Sequence, residues 1–232
     1  ILVDRAFLDD RRNSALELTT LEELEASGLA APHSVQNVLA AAALARAAGV
    51  APDRIRAAVA GFRMDAHRTE VVAVAGGVVW MDDSKATNAH AADASLRAAE
   101  SVVWIAGGLL KGVDPAPLVQ RHAARLRAAV LIGVDRDVLR AAFQRHAPHV
   151  RVLEVERTET GDVMPAAVSA AASVALPGDV VLLAPAAASM DQFTDYADRG
   201  RRFAEAVREH LGEAARDDDQ TPGTPDPGDP RA

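Results

Sequence analysis

The pattern of hydrophobic and polar positions changes character near residue 63. From 33 to 49 apolar residues recur near helical spacing and end at a glycine, and a proline opens a second short helix over 52–62. No strand-like run separates the two helices, and a possible strand pair precedes them in the first 32 residues. We therefore interpret residues 1–62 as the end of one structural unit.

From residue 63 onward, short apolar runs alternate with helical patterns. The runs VVAVA and VVWM flank Gly76-Gly77, which is a two-residue hairpin signal. Further strands are predicted at SVVWIAGG (101–108), AVLIGV (129–134), VRVLEV (150–155) and DVVLLAP (179–185), with helices between them and a last helix ending near 212. Continuous apolar strands alternating with helices predict a mostly parallel sheet covered on both faces. The fold class is therefore α/β, a Rossmann-like domain over 63–212.

The last segment, 213–232, combines four prolines with six acidic residues and offers no apolar anchor, so we expect it to be disordered. It supplies half of the net charge of −8, and the rest of the chain has no basic face that would indicate a nucleic-acid partner. No apolar run is long enough to span a bilayer and no signal peptide is recognisable. The absence of cysteine excludes disulfides and fits a cytoplasmic protein.

Lysine is rare in this chain, and both lysines follow predicted strands. Lys85 and Thr87 come after the second strand of the hairpin, Lys111 comes after the next strand, and Ser189 and Tyr196 come after the last one. Ligands of open parallel sheets bind at the carboxyl ends of the strands, so we expect these five residues to line one rim. A flexible lysine can follow a phosphoryl oxygen that changes partners, whereas arginine offers a rigid fork.

Each of these residues also has a plainer interpretation. Thr87-Asn88 is a possible helix cap, and a loop lysine is usually solvated surface. The run GGLLKG (107–112) is not a phosphate-binding loop of the Gly-x-x-x-x-Gly-Lys-Ser/Thr type, which occurs nowhere in the sequence. The pair His146 and His149 has no third ligand nearby, so we expect no metal site in this chain.

Five segments occur in the order and spacing of one enzyme family. They are APHSVQNVLAAAALARAAG, HRTEVV, DDSKATNAHAADASL, WIAGGLLKG and LLAPAAASMDQFTDYADRGRRF. The chain resembles the Mur ligases over about residues 30–212, and within them the D-glutamate-adding enzymes. By this resemblance, 1–62 is the C-terminal part of a central ATP-binding domain and 63–212 is the whole C-terminal ligase domain.

The resemblance implies an ATP-dependent ligase of peptidoglycan precursor synthesis. ATP would phosphorylate the carboxylate of UDP-N-acetylmuramoyl-L-alanine, and the amine of D-glutamate would attack the resulting acyl phosphate. Magnesium is expected with ATP, with most of its ligands outside this chain. The enzyme is expected to be a cytoplasmic monomer, and this chain alone is expected to be inactive.

The resemblance also assigns roles to individual residues. Asn37, Arg68 and Asp83 match positions that contact ATP, and Lys85 matches the catalytic lysine beside the transferred phosphate. The residues that match the D-glutamate pocket are Thr87, Lys111, Ser189, Met190 and Tyr196. Two positions depart from the family pattern: Ser34 replaces an asparagine near the nucleotide, and Tyr196 stands where phenylalanine is common.

Two alternatives are weighed against this interpretation. Another Mur ligase or a folylpolyglutamate synthase-type ligase would share the fold and chemistry but add a different amino acid; the Asp-Asn-Pro-Arg box expected of a diaminopimelate-adding relative is absent. The other alternative is a non-catalytic Rossmann-like binding module that keeps the pocket without the ATPase.

Overall fold

The chain folds into two compact units, Ile1–Ala66 and His67–Ala232. The structure is a computed structural model that describes residues 2–4, 16–30, 32–62, 65–156 and 160–219. The division lies four residues from the predicted boundary at 62/63.

The described residues of the first unit form two short strands and three helices. These are β1 (Leu2–Asp4), β2 (Leu16–Thr19), α1 (Leu21–Ala26), α2 (Pro32–Ala47) and α3 (Pro52–Gly61). The acidic segment over 21–26 is helical because Thr20 and Glu23 form a capping box, in which each side chain accepts a bond from the other's backbone N–H. Leu18, Ala42 and Ile55 form a small core that joins β2, α2 and α3.

The second unit alternates strands and helices as predicted. Its elements are β3 (Glu70–Ala75), β4 (Val78–Asp82), α4 (Ala89–Leu96), β5 (Val102–Gly107), α5 (Ala116–His122), a 3-10 turn (Ala123–Arg125), β6 (Leu126–Ile132), α6 (Arg136–His146), β7 (Arg151–Glu154), α7 (Thr160–Ala172), β8 (Val180–Leu183) and α8 (Tyr196–Asp219). The predicted hairpin is β3–β4, and its turn residues Gly76 and Gly77 both have positive φ.

The six strands form one sheet in the order β3-β4-β8-β5-β6-β7. Of the five strand pairings described in this sheet, β3–β4 is antiparallel and four are parallel, so the predicted α/β fold with a mostly parallel sheet is confirmed. The last strand in sequence, β8, lies between β4 and β5. Because all three run in the same direction, the loops that follow them emerge side by side.

Helices cover both faces of the sheet. Alternation along β5 sends Trp104 to the face covered by α4, α5 and α6, and Val103 and Ile105 to the face covered by α7 and α8. Trp104 is fully buried, and its indole N–H donates to the Ala184 carbonyl at 2.7 Å. The central strands are thus held on both sides, which gives the loops at their ends a rigid base.

The end of the chain differs from the prediction. Helix α8 continues to Asp219, so residues 213–219, expected to be disordered, are helical. Alanine, glutamate and arginine are strong helix formers, so the sequence from Glu213 to Arg216 favours continuation of the helix. The remainder of the predicted disordered tail, 220–232, lies outside the described residues.

Candidate active site

Three loops meet at the carboxyl edge of the sheet because β8 lies between β4 and β5. We call them the Lys85 loop (83–88), the Lys111 loop (107–113) and the Ser189 loop (184–195). Ala186 N donates to the Ala86 carbonyl at 2.9 Å, which joins the Lys85 and Ser189 loops. Leu109 and Ala188 exchange two backbone bonds, at 2.9 and 3.0 Å, which join the Lys111 and Ser189 loops.

Lys85 is half-buried and its ammonium group lies over the ring of Tyr196, 3.8 Å from the ring centroid. A cation over an aromatic face is attracted by the ring quadrupole. The Lys85 backbone N–H donates to the carbonyl of His67 at 3.1 Å, which fixes the loop on the segment before β3. The two residues that the sequence placed on one rim are therefore in direct contact.

Arg199, on α8, is fully buried and links two of these loops. Its guanidinium donates to the hydroxyl and the carbonyl of Ser84 at 2.9 and 2.8 Å, and to the Ala187 carbonyl at 3.2 Å. The Ser84 hydroxyl in turn donates to the Tyr196 carbonyl at 2.7 Å. Burial lowers the pKa of Arg199 to about 10, against the attraction of Asp191 and Asp82, so the group stays charged at neutral pH.

Asp82 ends β4 with a carboxylate that is almost fully buried. One oxygen is 2.6 Å from His67 Nδ1, and the other accepts from the Ser84 N–H at 2.8 Å. Burial raises the pKa of Asp82, although the His67 hydrogen bond acts in the opposite direction. Helix α8 packs tightly here, since a Cβ added at Gly200 would lie 2.2 Å from His67 Nδ1 and 2.6 Å from the Asp82 carboxylate.

Among the described residues, one group could hold a metal ion. His67, Glu70 and Asp82 each offer a ligand atom, and these atoms lie within 4.8 Å of one another. His67 and Asp82 already satisfy each other through their 2.6 Å contact, and Glu70 accepts from the His67 N–H at 3.0 Å. A metal ion bound here would have to displace the hydrogen bond between His67 Nδ1 and the Asp82 carboxylate.

Asp83 and Asn88 hold the two ends of the Lys85 loop. The Asp83 carboxylate is buried and accepts a short hydrogen bond from the Ser95 hydroxyl, and its backbone N–H donates to Leu183 at 2.8 Å. Asn88 is the N-cap of α4 and accepts from the Ala91 N–H at 2.9 Å. The plain interpretation of Asn88 as a helix cap is therefore correct, while Asp83 is engaged inside the protein.

Lys111 is exposed and has φ of 54°, a conformation that disfavours residues with a Cβ. Gly112 follows with φ of 78°, and Val113 N donates back to Leu110 O at 3.1 Å, which closes a tight turn. Among the described residues, the other non-glycine positions with positive φ are His67, Thr69 and Ala186. All four belong to the loops of this site or to the segment just before β3, and strained backbone is concentrated at functional sites in proteins.

The remaining predicted residues are more scattered. Thr87 is half-buried in the Lys85 loop, whereas Ser189 is buried and Met190, next to it, is 62% exposed. Arg68 is exposed in the bend before β3. Asn37 is exposed on α2, which belongs to the first unit.

Sequence reasoning missed several residues that organise the site: His67, Asp82, Ser84 and Arg199. The signal for Arg199 lay in the resemblance alone, since it is the arginine before Gly200 in the segment LLAPAAASMDQFTDYADRGRRF. Nothing in helical periodicity distinguishes it from its exposed neighbour Arg201. Its burial depends on the position of β8, which brings Ser84 and Ala187 together.

Comparison with known proteins gives a consistent result. The family profile described as "Mur ligase, glutamate ligase domain" matches residues 67–187, about half of the chain and most of the second unit. The matched segment includes the Lys85 and Lys111 loops and the beginning of the Ser189 loop.

Individual relatives are similar over most of the chain. The UDP-N-acetylmuramoylalanine–D-glutamate ligase of Leifsonia xyli subsp. xyli is 67% identical over 217 residues, which are 94% of this chain and 42% of the relative. The enzyme of the same name from Thermobifida fusca is 56% identical over 91% of this chain and 45% of its own length. The chain thus spans less than half the length of these curated relatives.

A solved structure supports the fold. The crystal structure of the UDP-N-acetylmuramate-alanine ligase MurC from Thermotoga maritima aligns with a TM-score of 0.53, covering 78% of this chain and 39% of that one. The identity is 17%, so this likeness concerns the fold alone.

Proposed function

Because this chain belongs to the Mur ligase family, we propose that it supplies the C-terminal part of a ligase that adds D-glutamate to UDP-N-acetylmuramoyl-L-alanine. The observation that carries the proposal is the convergence of the Lys85, Lys111 and Ser189 loops around β8. The high identity to two enzymes named for this reaction supports the choice of amino acid.

The proposed reaction has two steps. A carboxylate oxygen of UDP-N-acetylmuramoyl-L-alanine attacks the γ-phosphorus of ATP and releases ADP, which leaves an acyl phosphate. The D-glutamate amine then attacks the acyl carbon, loses a proton and expels inorganic phosphate, which leaves an amide. Such chemistry depends mainly on positioning and on stabilising negative charge.

In this scheme Lys85 stabilises the phosphoryl group as it changes partners. The Tyr196 ring beneath its ammonium group and the His67 carbonyl on its backbone hold the side chain in a defined place. The buried Arg199 holds the same loop through its two hydrogen bonds to Ser84. The ring attracts the ammonium group without supplying a hydrogen-bond acceptor atom, so its N–H donors can still follow a moving oxygen.

We assign nucleotide contacts to each unit separately: Arg68 and Asp83 in the second unit, and Asn37 in the first. Asp83 would contact the ribose while sharing its carboxylate with Ser95, so its role is to place the loop as well as to bind. Magnesium would accompany ATP, but Asp82 and Asp83 are both engaged by protein donors. These two residues do not make a magnesium site, and we propose that its ligands come from the rest of the ligase.

The amino-acid side comprises Thr87, Lys111, Ser189, Met190 and Tyr196. D-glutamate carries two carboxylates, and Lys111 supplies a cation at the rim whose ammonium has no ion-pair partner within the described part of the chain. Such a cation binds a carboxylate through a charge-assisted hydrogen bond. The buried Ser189 and the exposed Met190, in the loop that follows β8, would contribute to the wall of the pocket.

The test is the activity of the complete ligase. Purified enzyme is incubated with ATP, magnesium and UDP-N-acetylmuramoyl-L-alanine, and ADP release is measured with D-glutamate, L-glutamate or diaminopimelate. We expect release with D-glutamate only. Release with another amino acid would indicate a different ligase, and release with none would favour a binding module. Size-exclusion chromatography of the same sample tests the proposed monomer.

A further inference from the structure

The Lys111 loop is held by a residue from outside it, Asp135, at the start of α6. The Asp135 carboxylate accepts from the Leu110 N–H at 2.7 Å, and its own N–H donates to the Gly108 carbonyl at 3.3 Å. These two bonds clamp the loop on either side of Leu109. Lys111 is the next residue along the chain from the clamped amide.

Asp135 does not use its side chain in the way that its position in the helix would predict. Asp135 is the N-cap residue of α6, where an aspartate normally accepts from its own helix. No such capping bond is present, and the carboxylate reaches the loop after β5 instead. The side chain thus connects the carboxyl ends of β5 and β6 rather than stabilising the helix it precedes.

The Lys111 loop is tightly packed where Asp135 holds it. A Cβ at Gly133 would lie 2.3 Å from Gly108 Cα, and one at Gly108 would lie 2.2 Å from the Ala188 carbonyl. The Leu110 side chain is 6% exposed and belongs to the core. Leu110 is therefore fixed at both its side chain and its N–H, and the turn that presents Lys111 begins from it.

Lys111 itself needs such support. Its φ of 54° is a conformation that costs a residue with a Cβ free energy, and it persists only where the surroundings enforce it. Of the groups that hold this turn, the Asp135 carboxylate is a side chain and can be altered by substitution. A backbone clamp next to a strained residue indicates that the direction of the Lys111 side chain matters.

We infer that Asp135 is a positioning residue, whose carboxylate fixes the turn at 110–113 and so directs Lys111 toward a carboxylate of the incoming amino acid. The inference rests on the proposed function for the identity of that ligand. The clamp itself rests only on the contacts above.

Three variants separate positioning from other roles. Asp135→Ser keeps a good helix cap but has a side chain shorter by one bond, so it loses the contact with Leu110. Asp135→Asn keeps an acceptor oxygen at the same distance and loses only the charge. Asp137→Ser removes an exposed carboxylate two residues further along the same helix and serves as the matched control.

In the complete ligase, we expect Asp135→Ser to raise KM for D-glutamate about tenfold, the effect of losing one hydrogen bond that holds the turn. The KM for ATP should change by less than about twofold, because the nucleotide side does not depend on this turn. Asp135→Asn should restore the D-glutamate KM, and Asp137→Ser should leave both constants unchanged. Equal effects of Asp135→Ser on both substrates, or failure of Asp135→Asn to restore binding, would overturn the inference.

Amide hydrogen exchange of this 232-residue chain tests the clamp without activity. Asp135→Ser should lose protection at Leu110 while the buried strand β8 stays protected, and Asp135→Asn should retain it. Unchanged protection of Leu110 in Asp135→Ser would show that the carboxylate holds nothing. If instead the unsubstituted ligase fails to use D-glutamate, the proposed function is wrong while this exchange result still decides the clamp.

Discussion

At the scale of single residues, Arg199 shows how a buried charge can organise a site through hydrogen bonds to uncharged groups. Each of its three nitrogens donates one hydrogen bond, two to Ser84 and one to Ala187, in two loops that follow different strands. The donors of a guanidinium are spread over three nitrogens of a rigid plane, whereas those of an ammonium group radiate from a single nitrogen and cannot reproduce that geometry.

We therefore predict that Arg199→Lys destabilises this chain although the charge is kept. At least one buried acceptor would lose its partner, at a cost of about 2 kcal/mol or more. Urea denaturation measures the change, with Arg208→Lys, exposed on the same helix, as the control. Equal stability of the two variants would mean that the three bonds contribute nothing net.

A second prediction at this scale concerns Lys111. In the complete ligase, Lys111→Ala should raise KM for D-glutamate, since a hydrogen bond to a charged group contributes about 1.5–3 kcal/mol. Lys111→Arg keeps the charge but changes its shape, so its defect should be smaller. Steady-state kinetics with each substrate varied in turn would detect the opposite result, a defect in ATP alone, which would assign Lys111 to the phosphate.

At the scale of elements, helix α8 packs against the Asp82–His67 pair through a glycine. A Cβ at Gly200 would lie 2.2 Å from His67 Nδ1, whereas one at Gly212 meets nothing within 4 Å. The same substitution in the same helix should therefore have opposite effects.

We predict that Gly200→Ala destabilises the chain by about 1–3 kcal/mol through overpacking. Gly212→Ala should be neutral or stabilising by about 0.5–1 kcal/mol, because alanine is the better helix former. Thermal or urea unfolding of both variants gives the comparison. A stable Gly200→Ala protein would show that the helix can shift away from the histidine.

At the amino ends of the parallel strands, Asp179, which precedes β8, joins several segments through hydrogen bonds. Its carboxylate accepts from the Ser101 hydroxyl at 2.5 Å, from the Leu176 N–H at 2.8 Å and from the Arg127 guanidinium. Burial acts to raise the pKa of Asp179, but these donors prevail and hold it below the ordinary 3.8. A lowered pKa gives stability that is present above 3.8 and is lost as the pH falls through the folded-state value.

Asp179→Asn should accordingly lower stability at pH 7, and the difference from the unsubstituted chain should shrink as the pH falls below about 4. Unfolding free energies measured at several pH values test this, with the exposed Asp162→Asn as control. A difference that stayed constant with pH would mean that the charge of Asp179 does not contribute.

The sequence predicted the elements of the second unit because their signals are local. Apolar runs marked the strands, and Gly76-Gly77 marked the hairpin that the structure contains. The order of the strands is not local, since β8 enters between β4 and β5 only through long-range packing. For the same reason Lys85 and Tyr196 were predicted on one rim, but their direct contact and the buried Arg199 beneath it were not.

At the scale of the whole molecule, the two units give the chain only part of what a ligase needs. Phosphoryl transfer depends on holding the phosphates of ATP in line with the attacking oxygen. The loop that usually does so, Gly-x-x-x-x-Gly-Lys-Ser/Thr, does not occur in the sequence. The chain also spans less than half the length of the curated relatives it matches.

We therefore predict that this 232-residue chain alone has no ligase activity, even though its second unit presents Lys85, Lys111 and Ser189 at one edge. Without a group that holds the β- and γ-phosphates, the lysine over Tyr196 has no aligned phosphoryl group to stabilise. The assay follows ADP release with ATP, magnesium, D-glutamate and UDP-N-acetylmuramoyl-L-alanine, with the complete ligase as the positive control. ADP release by this chain that depends on both D-glutamate and the UDP-sugar would show that these loops assemble a working phosphate site by themselves.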